Sequence, residues 1–232
     1  MKTVVMAALA AFVTSPAFAG ELSGAIGATS NYVSRGTQQD VNDNPDVFGT
    51  LTYRTETGYY ATVFASTMNY SETSYGATKD STKELDFFVG KATLVGKTTV
   101  DIGLASINYP DNSVQWNFVE YYAKVDRPIS DKINAGIWLG YTNHYFSTYG
   151  TGVWTEGHAS YAATPRLTVS GAIANQYLKN DLDYRTWNIG ATYAVRDNVF
   201  VDLRYSDTDG HDLDPIFNTY DAQVATTVTV TF

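Results

Sequence analysis

Cysteine is missing from the whole chain. That excludes a disulfide scaffold, so stability has to come from a packed core or from hydrogen-bonded closure of a sheet. Long apolar runs are missing as well. After the N-terminus no stretch approaches the roughly 18 consecutive apolar residues of a helical membrane span. Positive charge is scarce: 15 Lys and Arg stand against 24 Asp and Glu. Nucleic acid, which needs a basic surface, is thereby excluded as a partner. The three histidines are too scattered for a zinc site, and no pattern calls for a metal or a cofactor.

What is present begins with a leader. Met1 and Lys2 give a short positive start, and Val4 to Val13 form an apolar run too short to cross a bilayer. Pro16 precedes Ala17-Phe18-Ala19, an A-x-A cleavage pattern. These are the marks of a cleaved secretory signal peptide over residues 1–19, with an uncleaved anchor as the alternative. Residues 20–232 are then the mature domain. Tyrosine is abundant, at 18 residues. It suits strands and membrane interfaces, where one end of the ring is apolar and the other wet.

The mature sequence divides into about twelve alternating segments, near 21–33, 46–55, 58–70, 83–94, 98–109, 116–126, 132–143, 152–163, 166–177, 184–195, 198–207 and 219–232. Turn-forming residues bound each of them. Short connections fall around Thr55–Gly58, Val95–Lys97, Asp126–Asp131, Thr164–Arg166 and Val195–Asn198. Longer ones fall around Ser34–Pro45, Ser71–Thr82, Pro110–Gln115, His144–Thr151, Lys179–Asp183 and Asp207–Asn218. This rhythm predicts an all-β fold: a single closed antiparallel transmembrane β-barrel of about 12 strands, with short periplasmic turns and longer extracellular loops. In hydrocarbon every backbone N–H and C=O must be paired, so the sheet has to close.

Period-2 patterning assigns the faces. Val224, Val228, Val230 and Phe232 oppose Gln223, Thr227, Thr229 and Thr231. Leu85, Phe87 and Val89 oppose Glu84, Asp86 and Phe88, and Trp187, Ile189 and Tyr193 oppose Thr186, Asn188 and Thr192. Tyr59, Tyr109, Tyr141, Tyr161, Tyr177, Tyr193, Tyr205 and Tyr220 fall near strand ends, where aromatic girdles are expected. The parity slips after Leu104, where Ile107 and Tyr109 change face. A bulge there, or a strand emerging above the membrane, is expected.

The chain ends on Phe232 in an alternating strand, which resembles the C-terminal signature of bacterial outer-membrane proteins. The resemblance implies recognition by the barrel-assembly machinery and Gram-negative outer-membrane insertion. The segment from Leu22 to Gln39, with Ser30-Asn31-Tyr32-Val33-Ser34-Arg35-Gly36-Thr37-Gln38-Gln39 as its motif, is similar to the opening segment of the TorF family of porins. Gly58-Tyr59-Tyr60-Ala61, Glu84 to Gly90, Asp101 to Leu104 and Tyr109-Pro110 extend the likeness through the first half. Asn31 and Val33 depart from the acidic and basic residues commoner there, so no charge-based role carries over.

The expected inward face carries Glu84, Asp86, Asp101, Glu120, Glu156, Asp202 and Asp221 against Arg54, Lys124 and Arg204. These ten are the candidate pore-lining residues. Carboxylate rings raise the local concentration of cations, so a cation bias is expected. The leading expectation is a porin in the cell outer membrane for passive diffusion of small solutes or ions. Its surroundings would be outer-membrane lipid and lipopolysaccharide. A structural or ligand-binding barrel without an open pore is the alternative. An outer-membrane hydrolase ranks last: His158-Ala159-Ser160 places a base and a hydroxyl on one strand face, but that face is the inner one and no third group is identifiable. Asp207-Thr208-Asp209-Gly210-His211-Asp212-Leu213-Asp214 lacks the glycine and glutamate spacing of an EF-hand calcium loop and reads as a solvated loop.

Overall fold

A computed structural model describes residues 20–74, 77–111, 116–147, 149–179, 182–214 and 216–232. The expected leader, residues 1–19, lies outside the described residues, as do parts of the long loops. Fourteen strands run in chain order: β1 (Gly20–Thr29), β2 (Val33–Ser34), β3 (Thr37–Gln38), β4 (Asp46–Thr55), β5 (Tyr59–Ser74), β6 (Ala77–Val95), β7 (Thr98–Ile107), β8 (Phe118–Pro128), β9 (Ile133–Thr142), β10 (Gly152–Ala162), β11 (Leu167–Tyr177), β12 (Tyr184–Arg196), β13 (Val199–Thr208) and β14 (Gln223–Thr231). Twelve of them, β1 and β4 to β14, close into one antiparallel barrel in sequential order. β2 and β3 pair only with each other.

The seam lies between β1 and β14, paired from Ala25 opposite Thr231 to Thr29 opposite Thr227. Gly24 and Phe232 exchange two backbone hydrogen bonds, at 2.8 and 3.0 Å, and finish it. Closure leaves no strand edge, which hydrocarbon requires. A ten-residue strand rises about 33 Å and, tilted by about 40°, covers roughly the 25 Å apolar band of such barrels.

The outer surface is apolar by exposure. Ile102, Ile189, Leu203 and Val224 are each about 60 % exposed while every second residue turns inward. At the last strand Val224, Val228 and Phe232 point out and Thr229 and Thr231 are buried, as the alternation requires. Tyr59, Tyr161 and Tyr193 stand exposed near the short-turn end and Tyr141, Tyr177 and Tyr205 near the long-loop end. Tyr109 and Tyr220 do not join these girdles. Tyr109 is buried against Met68 and Trp116 inside the barrel, and Tyr220 packs edge-on against Tyr184, 5.1 Å between ring centres.

The parity slip in β7 also has a different cause from the one expected. β7 keeps regular register with β6 and β8 as far as its last residues. Ile107 and Tyr109 turn inward because the upper lumen holds an apolar cluster for them to join. Register shifts occur elsewhere, between Thr67 and Tyr70 of β5 and between Ala194 and Arg196 of β12. Nor is the stretch expected as a loop at Ser71–Thr82 purely a loop. β5 and β6 continue into it as a two-stranded ribbon, beyond the point where β4 and β7 stop pairing with them.

Candidate functional site

The long connection after β1 does not stay outside. Residues 30–45 turn back into the lumen, and β2 and β3 form a small hairpin there. Arg35 and Gly36, at its tip, both have positive φ, 51° and 83°. Two left-handed residues in succession are the signature of a type I′ turn, the form that matches strand twist in a two-residue hairpin. A side chain at Gly36 would also collide with Thr186. The Ser-Arg-Gly-Thr sequence thus fits this tip because glycine alone tolerates both demands.

Contacts around the barrel wall hold the hairpin. The Tyr32 hydroxyl donates to Glu84 on β6 at 2.6 Å. Burial, and then the adjacent Glu84 carboxylate, push that hydroxyl far above its ordinary range, so it stays a donor. Asn31 donates to Gln223 on β14 at 2.7 Å, and Gln223 donates to Gln38 at 2.9 Å. The Gln38 backbone N–H donates to the Thr219 carbonyl at 2.8 Å. At the base, Asn69 exchanges backbone hydrogen bonds with Gln39 and Val41. The irregular register of β5 between Thr67 and Tyr70 leaves the Asn69 backbone available for this.

Arg35 is the centre of the arrangement. Its guanidinium donates to both carboxylate oxygens of Glu120 on β8, at 2.6 and 2.8 Å. It lies between the indole rings of Trp138 on β9 and Trp154 on β10, 5.1 and 4.9 Å from their centres. The Tyr184 hydroxyl donates to the Arg35 carbonyl at 3.2 Å. Burial works to lower the Arg35 pKa, the Glu120 carboxylate outweighs it, and the net shift is upward. The cation is therefore permanent. Its ion pair, one guanidinium nitrogen shared between both oxygens of a carboxylate that is 4 % exposed, is the tightest charged contact in the lumen.

The hairpin splits the remaining lumen into two cavities, and Tyr32, Val33 and Arg35 line both. The smaller, about 350 Å³, lies against the wall from β10 to β14. The larger, about 940 Å³, lies against β4 to β9 and the long loops. Its lining begins at Arg54 and Asp101, close to the short-turn end, and reaches Leu182 and Ile216 at the long-loop end. The outer half of this cavity is aromatic. Phe146, which itself has positive φ, stacks on Tyr109 at 5.5 Å and meets Trp116 edge-on.

The structure places nine of the ten candidate residues on the inner face. Arg54, Glu84, Asp86, Asp101, Glu120 and Lys124 line the larger cavity, and Glu156, Asp202 and Arg204 line the smaller. Asp221 is elsewhere. It sits in the loop before β14, half exposed, and pairs with His211 at 3.1 Å. Strand parity could not place it, because residues 219–222 lie outside the strand. Arg35, Asp126 and Asp214 are among the inward charges missed by the sequence reading. Arg35 lay in a presumed outer loop, and Asp126 in a presumed turn although β8 runs on to Pro128. The one available signal for Arg35 was its place in the opening motif.

His158 is engaged by carboxylates at both ring nitrogens, Glu156 at 3.1 Å and Asp126 at 3.0 Å. Neither nitrogen is directed to Ser160, so the base-and-hydroxyl pair imagined from the sequence is not assembled. Among the described residues no three His, Asp or Glu side chains converge as a metal cage.

A family model described as "Bacterial protein of unknown function (Gcw_chp)" matches residues 13–232. No curated protein matches in sequence. Among solved structures, the NanC porin is similar with a TM-score of 0.59 at 12 % identity, covering 91 % of this chain and 98 % of that one. The KdgM porin is similar with a TM-score of 0.59 at 10 % identity, covering 90 % and 98 %. A mutant of the monoaromatic hydrocarbon channel TodX is similar with a TM-score of 0.52 at 9 % identity, covering 92 % and 89 %. At such identities the likeness shows the fold. None of these findings is specific to the TorF family that the opening segment resembles.

Proposed function

The chain belongs to the Gcw_chp family of bacterial proteins of unknown function, and we propose that it is an outer-membrane channel for passive diffusion of small solutes, constricted by its own first loop. The observation that carries this reading is the larger cavity. One space of about 940 Å³ has lining residues at both ends of the barrel and passes beside Arg35 at its middle. A barrel whose only role was structural would need no such space. The apolar exterior and paired girdles of tyrosine support insertion in a bilayer. The leader pattern supports export, and the terminal Phe232, seated on Gly24 at the seam, supports assembly in an outer membrane by the barrel-assembly machinery.

The hairpin acts as a constriction because it is held by side chains and by three backbone hydrogen bonds at Gln38 and Asn69, and not by the barrel ladder. Moving it breaks no strand pairing of the wall. Passage is by diffusion along the β4–β9 side, past Arg35, Glu120 and Trp138. The cation bias expected from counting carboxylates is weakened by pairing at two of them. Glu120 is neutralised by Arg35, and Asp202 by Arg204 at 3.1 Å.

Refolded protein in a planar bilayer tests the proposal. Discrete conductance steps in potassium chloride are expected. A barrel that is folded by its heat-modifiable gel mobility, yet carries no current, would refute it. That result would favour the second reading, a closed ligand-binding barrel, for which the inward hairpin is the specific support.

A further inference from the structure

The larger cavity is lined by five carboxylates and three cations, and the two sets are used differently. Every carboxylate accepts a hydrogen bond from the protein. Glu84 accepts from Tyr32, Asp86 from the Asn108 N–H at 3.2 Å, Asp101 from Tyr60 at 2.8 Å, Glu120 from Arg35, and Asp214 from Thr219 at 2.7 Å. Such contacts hold a carboxylate against the wall and turn some of its acceptor sites away from the cavity, and only that of Glu120 to Arg35 also cancels the charge. Of the cations, only Arg35 has an anionic partner. Arg54 and Lys124 have none within 4.0 Å among the described residues.

These two cations rest on rings instead. Arg54 lies 5.0 Å above Tyr60. Lys124 lies 5.2 Å from the centre of Tyr122 and 4.4 Å from that of Trp138. The two tyrosine hydroxyls are hydrogen-bonded to each other, so Arg54, Tyr60, Tyr122, Lys124 and Trp138 form one continuous belt from β4 across to β9. The inward rings have room to lie flat because the wall beneath is notched: a side chain at Gly103 would run into Tyr122. A ring face stabilises a cation by its quadrupole but does not neutralise it. The belt therefore keeps two positive charges in reach of the cavity, against the single carboxylate of Asp101 that Tyr60 holds at its edge.

The geometry points to this belt as a binding site for an organic anion that carries a ring, a ring carboxylate. The inference deepens the channel reading and rests on it. The charge requirement comes from Arg54 and Lys124, whose N–H donors lack acceptors of opposite charge. The ring requirement comes from the approach. Above the belt the same cavity is walled by Phe64, Phe88, Phe118, Tyr109 and Phe146. A small hydrated ion gains nothing from that wall, whereas an apolar ring sheds water against it. A neutral ring meets the wall but leaves both cations unanswered. The Trp138 indole N–H, buried without an acceptor, adds a further donor at the level of the belt.

The test uses the refolded full barrel and benzoate, with acetate, benzyl alcohol and benzylammonium as comparison probes. Two readouts are taken: interruption of the potassium chloride current, and quenching of tryptophan fluorescence in detergent, which needs no conduction. Benzoate is expected to act at a concentration at least tenfold below each of the other three. Arg54→Gln with Lys124→Gln should abolish that preference, and Lys124→Arg alone should retain it. Equal action of benzoate and benzylammonium would overturn the inference, as would a preference that survives in the double variant. Current without any benzoate preference sinks the belt and leaves the channel standing. Benzoate-selective quenching in a barrel without current sinks the channel and leaves the belt standing.

Discussion

Replacing Arg35 by alanine is the sharpest probe of the constriction. In the closed arrangement the change strands the Glu120 carboxylate, which is 4 % exposed, without its cationic partner. Breaking a buried pair from one side costs about 3–5 kcal/mol, and the two lost indole contacts add roughly 0.5–1 kcal/mol each. Opening the hairpin lets water reach Glu120 and relieves most of that penalty. The closed–open balance should therefore move by at least about 3 kcal/mol, roughly a hundredfold in population. What still opposes opening is a handful of neutral and single charge-assisted hydrogen bonds, at Tyr32, Gln38 and Asn69, worth about 1 kcal/mol each, with somewhat more for the one to Glu84. Single-channel recording should show Arg35→Ala with a larger and noisier open level, while the barrel keeps its folded gel mobility. Adding Glu120→Gln removes the stranded charge and should bring the open fraction most of the way back. A single variant with wild-type conductance would refute the reasoning, and so would a Glu120→Gln addition that increased the open fraction.

Further outcomes follow from the same geometry. Gly36→Val puts a β-branched side chain at φ 83° and into Thr186, a backbone strain of about 1–2 kcal/mol before the collision; conductance should rise with the fold intact. Ile189, 60 % exposed at mid-strand, faces lipid, so Ile189→Lys should reduce folding stability in vesicles by about 2–4 kcal/mol, and inward-facing Thr50→Lys by less than half as much in the same urea titration. Removing Phe232 takes away both terminal hydrogen bonds of the seam, and the folded fraction recovered from outer membranes should fall. In the outer loop, the hydrogen bond to Asp221, with Asp207 nearby, raises the His211 pKa above 6.5. This contact is fully present below that ordinary value and is lost as pH rises through the folded one. Proton NMR titration should show the elevated midpoint, and Asp221→Asn should lower it.

Most of the barrel was legible because its signal is local and repeated. Alternation in Val228, Thr229, Val230 and Thr231 is dictated by a two-residue period and two unlike surroundings, so each strand announces its own faces. Loop lengths gave strand order, since short turns force neighbours to pair antiparallel. The candidate site was legible to the same extent. Nine of the ten residues on the inner parity point inward, and the exception, Asp221, lies where no strand enforces parity.

The sequence by itself determined the closed twelve-strand sheet, its apolar exterior and its polar wall, because hydrocarbon outside and paired backbone within leave one solution. Only the tertiary structure decided what fills the middle. Nothing in the local pattern of residues 30–45 tells an outer loop from an inner one. The difference comes from partners far along the chain: Glu84, Glu120, Trp138, Trp154 and Gln223 meet the hairpin only once the wall has curled round it. The pairing of charges inside the barrel was decided in the same way. Counting carboxylates along strands gave an acidic lumen, but whether a carboxylate or a cation is left without an opposite partner depends on which side chains closure brings face to face.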